Sequence, residues 1–122
     1  RVESGRGGAL DRAGLAAALH DLALQLDALE ADQGTLEPGA LCRRIDALLL
    51  GPYFELGGRN EEYARVLGPG LYSRIWEGFA VSERLLARAW SMATDGHLEE
   101  ALLELPRARQ QLALAVQRAD QE

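Results

Sequence analysis

The chain has 122 residues and a mass of 13.3 kDa, the size of one domain able to bury about 65% of the surface its unfolded form exposes. Leu and Ala supply 43 residues and the β-branched Val, Ile and Thr only 8, which excludes a sheet protein in favour of an all-helical one. Nineteen acids against 13 bases give a net charge of −6, which argues against duplex DNA or an acidic membrane face as partner.

Residues 1–9 are rich in Gly with no apolar period and read as a flexible lead-in. A single helical-bundle domain is expected over 10–119, with residues 120–122 a frayed C-terminus. The first helix is expected from Leu10 or Asp11 to Ala31, Asp11 being the N-cap. Gly34 ends it, and Thr35 is a candidate cap for a second helix over 38–50 that has Pro38 in its first turn and stops at Gly51-Pro52. Asn60 opens a short helix to Leu67. The next helix runs from near Gly70 to Thr94, Asp95-Gly96 makes a turn, and the last runs from His97 to Ala119. Pro106 lies inside it and predicts a kink or, alternatively, the first turn of a separate last helix after a short one over 97–104. The expected fold is an all-α bundle of four main helices plus one short connecting helix, without a sheet.

The helical faces carry more information. Leu15, Leu19, Leu22, Leu26 and Leu29 recur at spacings of four and three, the coiled-coil-like knobs-into-holes spacing of a bundle seam. On the opposite side of that helix Ala13, Ala17, Leu24, Ala28 and Ala31 form a second stripe where an ordinary surface helix carries charge. Either another helix of the bundle covers it, or a second chain does. In the latter case two copies would meet about a twofold axis with Leu24 near its counterpart. Alanines as plain helix formers on a wet face are the alternative. The last helix has its main stripe at Leu98, Ala101, Leu105, Ala108, Leu112, Val116 and Ala119, with Glu104 and Arg107 expected as an ordinary exposed pair. In the helix before it, Glu83 falls on the apolar face, and Arg109 is its expected interhelix partner.

Sites of chemistry are poorly supplied. Two His, neither with an acid three residues before it, give no bundle metal pattern. The single Cys, Cys42, excludes an internal disulfide and reads as a small buried hydrophobe despite Arg43 and Arg44 beside it. No serine has a His–acid pair at recognisable spacing, and Gly57-Gly58 and Gly68-Pro69-Gly70 match no phosphate-binding fingerprint. No catalytic residue, cofactor, metal or small-molecule substrate is therefore indicated. Tyr53, Phe54, Tyr63 and Tyr72, in and around the Gly/Pro-rich middle, are candidate exposed anchors. The expected function is a non-catalytic protein-interaction or self-association module, a scaffold or adaptor that binds another protein or its own second copy. The alternatives are a structural or regulatory helical segment of a multi-domain enzyme and, behind it, a nucleic-acid-binding helical domain.

No stretch approaches the roughly 18 apolar residues of a membrane span, and the first residues lack the shape of a secretory signal. The expected setting is intracellular, cytoplasmic or nuclear. The chain opens on Arg rather than Met and reads as a fragment of a longer protein.

Overall fold

The computed structural model describes residues 10–121; the expected lead-in at 1–9 and the final residue lie outside them. Asp11 caps α1 (Arg12–Asp32) through its carboxylate, which accepts the Gly14 amide at 2.8 Å. A 3₁₀ turn over Gln33–Thr35 follows. Its Thr35 hydroxyl donates to the Asp32 carbonyl at 2.9 Å, so Thr35 closes α1 instead of capping the next helix. That helix, α2 (Pro38–Leu48), has Glu37 as its N-cap residue and Pro38 at its start.

Gly51-Pro52 does not end it. The chain runs through a widened π turn, Leu49–Tyr53, directly into α3 (Phe54–Gly57). A proline in a regular helix clashes with the carbonyl four residues back and removes a hydrogen bond. The wider turn accommodates both demands, so the stop signal becomes a bulge.

The connector α4 (Asn60–Leu67) gives way at Gly68, whose φ of 85° favours glycine, to α5 (Pro69–Thr94). Gly96, at φ 88°, turns the chain into α6 (Leu98–Asp120), which contains Pro106 and is one unbroken element. It runs one residue past the expected end, and Asp120 is tied down by His20 at 2.9 Å. Four long helical runs and one short connector make up the fold, with 90% helical content and no strand among the described residues.

α5 and α6 form an antiparallel hairpin whose register is fixed by Arg118 Nη1 donating to the Arg74 carbonyl and by Arg88 beside Glu104. Small residues let the two helices close up. A Cβ added at Gly78 would stand 2.6 Å from the Gln111 carbonyl oxygen, and Ala101, Ala108, Ala115 and Ala119 of α6 are buried. α1 lies antiparallel on α6: Arg12 Nε donates to the Ala119 carbonyl at 2.8 Å, while Arg109 reaches Asp27 and Glu30 near the other end. All five leucines of the α1 seam are fully buried in the core. α2 and the π turn close the bundle over α5.

Candidate functional site

The second stripe of α1 points outward. Ala13, Ala17, Leu24, Ala28 and Ala31 are all exposed, and Leu24 keeps 67% of its surface. No described helix covers this face, so it is not buried inside the bundle. Asp21 and Asp27 flank the stripe and are exposed. Beside it, an open groove of about 550 Å³ runs between α1 and α6, lined by Ala23, Ala113, Val116, Gln117, Asp120 and Gln121.

Two of the four aromatic anchors are not available to a partner, which corrects the sequence expectation. Tyr53 is fully buried because the π turn continues the helix and rotates its ring onto Phe79, at a centroid distance of 5.3 Å. Its hydroxyl meets Ser82 Oγ at 2.9 Å, and Ser82 donates on to the Phe79 carbonyl at 2.8 Å, so the polar group is satisfied. Burial pushes the Tyr53 phenol above its ordinary range, with the Ser82 hydrogen bond opposing. Tyr63, on α4, is fully buried against Trp76 at 6.1 Å; burial raises its phenol too, and a hydrogen bond with Arg59 opposes. Tyr72 is half-buried and stacked on Trp76 at 5.1 Å, and Trp76 in turn lies 4.8 Å from Phe79. The expected anchors are thus largely an internal aromatic cluster that glues the π turn and α4 onto α5. Only Phe54 is freely exposed, at 69%, one turn from the equally exposed Leu50, which the sequence reading passed over.

The expected Glu83–Arg109 pair is also absent. The α5–α6 register sets 83 level with 109, but Arg109 follows the buried Ala108 and is turned about 100° away, toward α1. There its guanidinium contacts the Glu30 carboxylate and lies 3.9 Å from Asp27 Oδ1. Glu83 stays half-buried on α5, where partial burial raises its carboxyl above the ordinary value and the neighbouring Arg84 opposes the shift.

The interhelix ion cluster belongs to Glu104. This carboxylate is 3% exposed, and its Oε2 lies 3.3 Å from Arg88 Nε and 3.4 Å from Arg107 Nη1. Its Oε1 has no hydrogen-bond partner. The Glu104–Arg107 pair is accordingly not the exposed helix-surface pair expected from spacing. Glu104 comes three residues after Ala101 and four before Ala108, on the same stripe, and that spacing is the signal that could have revealed it.

The remaining reactive groups stand apart. Cys42 is half-buried with Sγ 3.9 Å from Thr94 Oγ1, and His20 is an exposed partner of Asp120. Among the described residues no three His, Cys, Asp or Glu side chains come together where they could hold a metal ion, and no helix is long and apolar enough to cross a membrane. Compared with family models, curated proteins and solved structures, the chain finds no match.

Proposed function

We propose that this chain is a non-catalytic protein-interaction module, intracellular in setting, that associates with a second helical surface through the outer face of α1. One observation carries the reading: Leu24 is 67% exposed at the centre of a face whose other positions are Ala13, Ala17, Ala28 and Ala31. A helix that already buries five leucines on one side needs no second apolar face for its own fold. Alanines permit close approach of another backbone, and covering Leu24 contributes about 1–2 kcal/mol at the centre of the contact. The shallow α1–α6 groove beside the stripe gives such a helix a seat.

Leu24→Glu tests the reading. Because Leu24 is 67% exposed and lies outside the core, the variant is expected to keep its helix content by circular dichroism. Multi-angle light scattering at tens of micromolar should find the wild type associated and the variant at the 13.3 kDa of one chain. A variant that associates as the wild type does would remove the α1 face from the account.

A further inference from the structure

We propose that the occupant of the α1 face is the outer edge of the α5–α6 hairpin of a second copy, so that the chain associates head to tail. This inference rests on the reading of α1 as a contact face.

The argument begins with charge. The exposed acidic side chains of α1 and its cap are Asp11, Asp21, Asp27 and Asp32, of which Asp27 lies 3.9 Å from Arg109 and Asp32 3.2 Å from Arg44. The one arginine of the helix, Arg12, is turned inward and bonds to the carbonyls of Arg118 and Ala119. Two copies of this face meeting about a twofold axis would line both rims of the contact with aspartates, and like charges across an interface are unfavourable. The small apolar stripe therefore calls for a partner surface that is apolar at its centre and basic at its edges.

The α5–α6 edge has that character. Arg84, Arg88 and Arg107 are exposed, Arg84 one turn before Arg88 and the other two gathered around the buried Glu104. Arg74 and Arg118 continue the line toward the far end of the hairpin. Against these five bases stand Glu104, which is buried, and the exposed Glu77, Glu99 and Glu100, so the edge carries a surplus of one base on a chain of net charge −6. Leu103, 60% exposed and one turn before Arg107, gives the edge an apolar centre. At 1.5 Å per residue Asp21 to Asp32 spans about 17 Å and Arg74 to Arg88 about 21 Å. Because the two surfaces differ, each bound copy still offers one free acidic face and one free basic edge. Association of this kind grows into a chain or closes into a ring.

Two variants test the proposal by sedimentation velocity, their fold checked by circular dichroism. Leu24→Glu spoils the acidic face and leaves the basic edge. The double variant Arg84→Glu with Leu103→Glu spoils the edge and leaves α1, and it spares Arg88 and Arg107 so that Glu104 keeps its partners. Each variant alone should sediment as a monomer. Their equimolar mixture should form a species of twice the 13.3 kDa chain mass that grows no further, because each partner caps the other. The wild type should grow with concentration and dissociate as salt is raised from about 0.15 to 0.5 M. If the edge variant associates as the wild type does, the head-to-tail pairing is wrong and α1 meets something else, while the α1 reading stands. If Leu24→Glu associates as the wild type does, both fall. Should the double variant lose its helix signal, Arg84→Glu alone serves: at least a several-fold weaker association supports the pairing, and unchanged association overturns it.

Discussion

Two stripes of small residues occupy this molecule and meet opposite fates. In α6, Ala101, Ala108 and Ala115 are buried, and they face an α5 seam of Gly78, Ser82, Ala89 and Ala93 that is itself buried. In α1, Ala13, Ala17 and Ala28, with Leu24 among them, repeat the four-seven-four spacing of that α5 seam and are exposed. The stripes differ less in sequence than in what stands opposite. α6 meets a glycine that lets its backbone approach closely, whereas nothing in the described chain covers the outer stripe of α1. Small residues at helical spacing record a capacity for close approach; only the facing element says whether the fold uses it.

The sharpest way to break the comparison is within α1 itself. Leu22→Ala removes a fully buried side chain from the leucine seam and should cost about 2–5 kcal/mol through lost transfer energy and a cavity. Leu24→Ala, two residues on, should change the monomer's stability by less than about 0.5 kcal/mol. Urea denaturation at low protein concentration measures both, and similar losses would mean that the two faces are equally part of the core.

Gly78→Ala probes the α6 stripe. The new methyl would meet the Gln111 carbonyl oxygen at 2.6 Å and the Ala115 amide nitrogen at 3.1 Å, both backbone atoms that cannot swing aside. The helices must separate, and a loss of about 1–3 kcal/mol is expected even though alanine is the better helix former. A matched Ala28→Leu on the exposed stripe should leave monomer stability within about 0.5 kcal/mol. A Gly78→Ala variant as stable as the wild type would show that α5 and α6 are not held at that separation.

The smallest effect concerns Glu83. Its folded carboxyl sits above the ordinary value because burial disfavours the charge, so the folded state binds its proton more tightly than the unfolded state. By linkage its contribution to stability is fully present below the unfolded carboxylate range and is lost as pH rises through the folded value. Glu83→Gln should therefore be slightly more stable than the wild type at pH 7, by less than about 0.5 kcal/mol, with the difference fading on acidification to pH 4 and below. A difference that grows on acidification would reverse the assignment.

How far the sequence could be read depends on the kind of signal. Local periodicity told the leucine seam of α1, the Asp11 cap, the Gly68 and Gly96 turns and the five-helix count, because each is decided within a turn or two of helix. Signals that depend on a neighbour were misread. Gly51-Pro52 looks like a stop, yet the π turn absorbs it and thereby carries Tyr53 inside. Glu83 and Arg109, expected as partners, stand at one level of the bundle but on different faces, since a single residue of helix turns a side chain from α5 to α1. Of the proposed contact surface, the α1 stripe was legible as a second apolar face, but the loop aromatics that accompanied it were not free, Phe54 excepted. The arginine edge was visible only as scattered residues until the hairpin register brought Arg84, Arg88 and Arg107 onto one edge.

The central claim is that the uncovered face of α1 exists to be covered by another copy of this chain. Sedimentation equilibrium of the wild type in dilute buffer, from about one to several hundred micromolar, tests it most directly. The weight-average mass should rise steadily with concentration above the 13.3 kDa of one chain. A mass that stays at one chain across the whole range, in a protein that remains helical, would contradict it.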